Sequence, residues 1–258
     1  MKKRIMSAIV AVPILLYIVL KGGIIFDIAW FLVLSILLFE LNRMVAGKLD
    51  IILYLPSLLY LVTSYANYYY NWGNANLIAS FFIIIMLIIN IIVVRKHNLS
   101  KISLAIIGSL YIIFLGMYLF MLADISQALL IISFITAWAY DSCAYFTGVK
   151  WGRRRPWPEL SPKKSIEGVM GGAVGTVLVV LLFASINNWN LVNMAIYALF
   201  AVFLAQCGDL IESSIKRFCS VKDSGKILPG HGGFLDRFDS VLPILPLTYL
   251  IFVVLKLQ

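Results

Sequence analysis

Apolar stretches recur along this chain at a length and frequency that a water-soluble core cannot absorb. Nine segments, over roughly residues 5–20, 24–41, 51–69, 76–94, 102–121, 127–146, 169–186, 191–215 and 241–255, approach the ~20 residues that cross the hydrocarbon core of a bilayer. The first and last are the shortest. Of 258 residues, 62% are hydrophobic and 13% are charged, against about 45–50% apolar and about 25% charged in ordinary soluble domains. Lipid must therefore be the solvent for most of the surface. In lipid every backbone N–H and C=O has to be satisfied internally, which favours helices. The expected fold is all-α, a polytopic transmembrane helical bundle of about nine spans.

The placement of charge orients the bundle. With the N-terminus in the cytoplasm and nine spans, all but Lys21 and Lys256 of the 21 Lys and Arg residues fall on the cytoplasmic side, as the positive-inside rule requires. The same rule accounts for the net charge of +9, so no nucleic acid is expected as a partner. Lys2, Lys3 and Arg4 precede an apolar run in the manner of a signal peptide. No small-residue cleavage site follows Gly22–Gly23, and the segment reads as a retained first helix. Cys143, Cys207 and Cys219 show no metal-binding spacing, and His97 and His231 lie far apart, so neither zinc nor a disulfide framework is expected. Tyr68, Tyr69, Tyr70, Trp72 and Trp189 fall at outward-facing turns and read as interfacial anchors. Residues 1–125 read as scaffold helices, and residues 126–258 as the catalytic transmembrane region with two large cytoplasmic loops, all in one continuous membrane domain.

Polar residues separate the two halves. Asp27, Glu40 and Asp50 lie near span ends and read as solvated at the interface. In the second half Asp141 falls within the sixth span, and Asp209 and Glu212 fall within the eighth. There Asp209, Glu212 and Ser213 share a helix face at i, i+3 and i+4. Acids at such depth cost several kcal/mol, on the order of the insertion scales, unless paired or metal-bound. The loop over 148–168 carries six cations. Its Lys163, Lys164 and Ser165 stand just before the seventh span, where helix N–H groups also favour phosphate. The pairs Gly168/Gly172 and Gly171/Gly175 read as close helix packing, which also allows a homodimer. The loop over 213–239 concentrates Lys216, Arg217, Lys222, Asp223, Lys226, His231, Asp236, Arg237 and Asp239. Gly225, Gly230, Gly232 and Gly233 let its backbone approach a ligand.

Clustered carboxylates without cysteine or paired histidine suit a hard, oxygen-bound cation such as Mg²⁺. Lys and Arg beside them suit phosphate. Together they form the electrostatic pattern of phosphoryl-type transfer. No Walker-type phosphate loop is present, and Gly230-His-Gly-Gly233 is not a dinucleotide fingerprint. The residues by themselves thus describe a membrane enzyme acting on phosphates, a nucleotide among the candidates.

The segment 213–239 resembles the signature of the phosphatidate cytidylyltransferases (CDP-diacylglycerol synthases). The matching residues are Ser213, Lys216-Arg217, Lys222-Asp223, His231-Gly232-Gly233 and Asp236-Arg237-Phe238-Asp239. Asp141 to Tyr145 and Ser161 to Gly168 are similar to the same family, with Ser165 where threonine is expected. The resemblance implies that CTP and phosphatidic acid give CDP-diacylglycerol and pyrophosphate, with Mg²⁺ and room for a second cation. It also implies roles. Asp209 and Asp236, then Asp239, Asp141 and Asp223, would hold metal. Lys216, Arg217, Lys222 and Arg237 would hold nucleotide phosphates or the lipid headgroup. Lys163, Lys164 and Ser165 would clamp phosphate, with Ser213, Gly232 and Gly233 also at the substrates. His231 would serve the leaving pyrophosphate or cytosine, or else order its turn. The expected setting is the bacterial inner membrane, among membrane lipids, with the site facing the cytoplasm. Two rival readings are a CTP-dependent polyprenol or lipid kinase and an ion-coupled transporter. A third, a CDP-alcohol phosphatidyltransferase, lacks its aspartate motif here.

Overall fold

The computed structural model describes residues 13–71, 99–227 and 232–256, together with 78, 81, 84 and 88. Among these residues the chain is helical, without strands. The principal helices are α1 (Gly23–Ala46), α2 (Ile51–Tyr70), α3 (Leu99–Ile125), α4 (Gln127–Trp151), α5 (Ile166–Ile186) and α6 (Leu191–Phe218). A single turn, α7 (Leu235–Phe238), is followed by α8 (Ile244–Tyr249), whose last turn widens into a π-helical stretch, Leu250–Val254. The ends follow local chemistry. Asp50, Ser126 and Ser165 cap α2, α4 and α5 with side-chain oxygens that accept from Ile52, Ala128 and Gly168 amides. Gly47 ends α1 in the left-handed conformation, at φ 81°.

Five of these helices, α1, α3, α4, α5 and α6, are long and apolar enough to cross a membrane. The chain is thus a membrane protein that is helical among its described residues. α2 occupies the third expected span at 20 residues but is richer in tyrosine and polar groups. Of the first expected span, residues 13–20 are described, and helix runs from 13 to 21. The fourth, 76–94, lies outside the described residues except at 78, 81, 84 and 88, which are helical. The ninth is an apolar helix over Ile244–Val254. At 1.5 Å per residue its 11 positions reach about 16 Å, roughly half the hydrocarbon thickness.

The chain divides into two compact units: Met1–Phe120 with Cys219–Leu235, and Met121–Phe218 with Asp236–Gln258. The core of the first is the leucine face of α1, where Leu34, Leu37, Leu38 and Leu41 are fully buried. Gly108 of α3 admits it: a Cβ there would stand 2.7 Å from a Leu41 methyl. Trp30 donates to the Gly116 carbonyl at 2.9 Å, and Ser57 and Ser109 share a hydrogen bond of 2.8 Å. Of the three acids expected to be solvated at span ends, Glu40 and Asp50 are buried, and Asp27 is half-buried. Asp50 is 3% exposed and caps α2. Asp27 accepts from the Tyr65 hydroxyl at 3.3 Å. Glu40 is 1% exposed. Nearness to a span end in sequence does not reveal that neighbouring chain covers the side chain and supplies donors.

In the second unit α5 lies along α4 by means of its glycines, as their spacing predicts. A Cβ on Gly172 would come 2.9 Å from the Tyr140 ring, and one on Gly168 would come 2.9 Å from the Ala144 carbonyl. Gly171 and Gly175 face Thr147 and Cys143 in the same way. The opposite face, Met170, Val174, Leu178, Leu182 and Ile186 at helical spacing, is exposed and suits lipid. Buried hydroxyls knit the helices together: Ser133 to Thr248 at 2.9 Å, Tyr197 to Thr248 at 3.0 Å, and Tyr140 donating to Gln206.

Candidate active site

The last turns of α6 carry Asp209, Glu212, Ser213 and Lys216 on one face, a consequence of their i, i+3, i+4 and i+7 spacing. Gly208 lets the chain after α7 come up against that face. A Cβ on Gly208 would collide with the Asp239 carbonyl and stand 2.7 Å from Pro243. Asp236 and Asp239 therefore arrive beside α6. The Lys216 ammonium lies 2.5 Å from Glu212 and 2.7 Å from Asp236, at 11% side-chain exposure. Lys164, from the segment leading into α5, forms an ion pair with Asp209. Ser213 donates to the other Asp209 oxygen at 3.2 Å. Asp239 accepts from the Ser240 amide at 2.7 Å, and the Ser240 hydroxyl donates to Asp141 of α4 at 3.4 Å.

Five carboxylates, Asp141, Asp209, Glu212, Asp236 and Asp239, thus lie with three cations, Lys164, Lys216 and Arg237. Asp141 is within electrostatic range of Asp209, Lys164 and Arg237. Burial, with the charges of Asp209 and Asp141 added, pushes the Asp239 carboxyl up to about 7. The buried Oε1 of Glu212 has no hydrogen-bond partner. Both observations describe an excess of negative charge that a cation would relieve. All the donors are hard oxygens, which suits Mg²⁺. Among the described residues no three side chains converge into a ready-made metal cage. Mg²⁺ does not need one, since it is usually held by one or two carboxylates together with water and substrate phosphates.

The other expected residues fall as follows. Ser165 is 3% exposed and its Oγ accepts from the Gly168 amide at 3.1 Å, so its placement is that of a helix cap. Lys163 is exposed. Arg217 donates from Nε to the Leu160 carbonyl at 3.2 Å, tying the end of α6 to the basic loop. Glu167 gathers the Arg153 and Arg154 amides at 3.0 and 3.1 Å, which shapes that loop from within. Lys222, Asp223, Gly232 and Gly233 belong to the first unit. Lys222 and Asp223 are exposed there, Gly232 has φ +84°, and Gly233 is buried. His231 lies outside the described residues. Sequence reasoning assigned no role in the site to Glu212 or Ser240. The helical spacing of Glu212 from Lys216 was a readable signal. The reach of Ser240 to Asp141, 99 positions away, was not.

A profile of the cytidylyltransferase family matches residues 2–255. The chain is 34% identical over 259 residues to the phosphatidate cytidylyltransferase of Bacillus subtilis (strain 168), covering 96% of each chain. It is 33% identical over 261 residues to that of Staphylococcus saprophyticus, covering 98% of this chain and 99% of the other. With the Thermotoga maritima phosphatidate cytidylyltransferase it shares 43% identity over 150 residues, 55% of this chain and 56% of that one. These matches lend no support to the kinase or transporter readings. By the match along nearly its whole length, the chain belongs to the phosphatidate cytidylyltransferase family.

Proposed function

We propose that this chain joins CTP to phosphatidate at the carboxylate and ammonium cluster around Asp209, releasing pyrophosphate and leaving CDP-diacylglycerol in the membrane. The observation that carries the reading is the convergence of Asp141, Asp209 and Asp239 with Lys164 and Lys216 in a chain of this family. A phosphate monoester has a second pKa near ~6, so the attacking phosphatidate oxygen is largely ionised at neutral pH and needs no strong base. The remaining barrier is the repulsion between two polyanions and their alignment for attack on the α-phosphorus. Asp209, Asp239 and Asp141 are the side chains suited to hold Mg²⁺, with Asp236 beside them. A divalent cation there would bind and screen anionic phosphate oxygens. Lys164 is ion-paired with Asp209, and its ammonium suits a phosphate oxygen brought to that carboxylate. Lys216, engaged by two carboxylates, orients Asp236. Arg237 is exposed at the edge of the cluster and suits a headgroup or the departing pyrophosphate.

A cytoplasmic N-terminus is the orientation that best accounts for the distribution of basic residues, with the last apolar helix, Ile244–Val254, too short to cross the hydrocarbon core by itself. In that topology the cluster opens to the cytoplasm, where CTP is found, and the bacterial inner membrane is the natural setting. Purified protein given CTP, phosphatidate and Mg²⁺ should release pyrophosphate and form a cytidine-labelled lipid. Transfer of the γ-phosphate with release of CDP would instead require a kinase. Asp209→Asn should lower turnover by at least about a hundredfold, in the range seen when electrostatic catalytic groups are removed. Mg²⁺ should raise the melting temperature of the wild-type protein and leave that of Asp209→Asn unchanged.

A further inference from the structure

Glu40 is the buried acid that the proposed chemistry leaves unused. It lies in α1, an otherwise apolar helix, at 1% exposure. A carboxylate so placed is costly unless donors surround it. The glycine-rich return segment supplies them. The Leu235 amide donates to Glu40 Oε2 at 2.9 Å, and the Ser224 hydroxyl donates to the same oxygen at 3.2 Å. Two glycines of that segment are shaped around the carboxylate. A Cβ on Gly225 would stand 2.7 Å from Glu40 Cδ, and one on Gly233 would stand 2.5 Å from Oε2. Leu235 is the first residue of α7, and the next residue is Asp236.

We propose that Glu40 is a positioning residue whose carboxylate clamps the return segment at Ser224 and Leu235, fixing the backbone that runs directly into Asp236. The inference rests on the reading of Asp236 as part of the reaction site. It reaches beyond that reading by assigning a role to a residue of the first transmembrane helices, outside the segment that carries the family motif. Glu40 acts through hydrogen bonds and not through contact with substrate. The amide of glutamine can reproduce both, because both donors meet one oxygen: an amide oxygen placed there accepts from the Leu235 amide and from the Ser224 hydroxyl.

The test uses the full-length protein in detergent, with two independent readouts. The first is limited trypsin cleavage after Lys226, exposed within the clamped segment, measured against cleavage after Lys163, exposed in the other loop. Glu40→Ala should accelerate cleavage after Lys226 about tenfold and leave cleavage after Lys163 unchanged, one decade corresponding to ~1.4 kcal/mol of local opening. The second is steady-state turnover. Glu40→Ala should lower kcat by about tenfold to a hundredfold, the scale of a small misplacement of a catalytic group. The KM for CTP should change far less, and Glu40→Gln should recover most of the loss. Gly233→Ala, which pushes a methyl onto the same carboxylate, should reproduce Glu40→Ala and replaces it if that variant does not accumulate. Wild-type cleavage after Lys226 in these variants, or a Glu40→Gln variant as impaired as Glu40→Ala, would overturn the clamp. If the wild-type protein forms no CDP-diacylglycerol, the reaction assignment fails, and the cleavage readout still decides whether the clamp exists.

Discussion

Lys216 sits between Glu212 and Asp236 at 2.5 and 2.7 Å, all three largely withdrawn from solvent. A buried ion pair of this kind adds little net stability over an apolar substitute, yet removing one partner strands the other charges. Lys216→Ala should therefore destabilise the protein by about 3–5 kcal/mol, measured by denaturant unfolding in detergent. Adding Glu212→Gln to that variant should recover part of the loss, because one stranded charge is removed. Turnover should stay low in both variants, since Asp236 has lost its ammonium. The i+4 relation of Glu212 to Lys216 was legible in the sequence. Its sharing of the lysine with Asp236, 20 positions on, was not. Glu40 was misread for the same kind of reason. Its place near a span end was visible, while the amide and hydroxyl that surround it come from a segment about 190 residues further along.

At the level of helices, α5 is held to α4 by the absence of side chains at Gly168, Gly171, Gly172 and Gly175. Gly172→Leu would drive its side chain into Tyr140, which also bonds Gln206. Overpacking of this sort costs about 1–3 kcal/mol. Here it should also lower activity, because the segment entering α5 carries Lys164 to Asp209. Val174→Leu on the exposed face should change stability by no more than about 0.5 kcal/mol and leave turnover intact. Thermal unfolding and product formation, measured on both variants, separate the two faces. The glycine spacing made this packing readable in advance, since close approach of helix backbones depends on which positions lack a Cβ. That the last span is short was readable, but that its helix begins only at Ile244 was not. A continuous apolar run does not disclose where a chain will turn before its helix begins, and here Ser240 to Pro243 are spent on turns beside α6.

For the molecule as a whole, the proposed topology makes opposite predictions for two sets of positions. Single cysteines replacing Lys163 or Lys226 in a cysteine-free background should react with a membrane-impermeant reagent only in inside-out vesicles. A cysteine replacing Lys21 should react only from the outer face. Labelling of all three from one side would undo the orientation. Membrane residence, the all-helical class and the family could be read from the chain alone. Lipid acts on whole segments through length and apolarity, and the motif over 213–239 is contiguous, so both are written in linear order. Tertiary structure alone decided which acid meets which cation: Asp209 with Lys164, Asp236 with Lys216, Asp141 with Ser240, and Glu40 with the glycine-rich segment. Those pairings depend on ångström-scale distances between residues remote in sequence, which only the packing of helices sets.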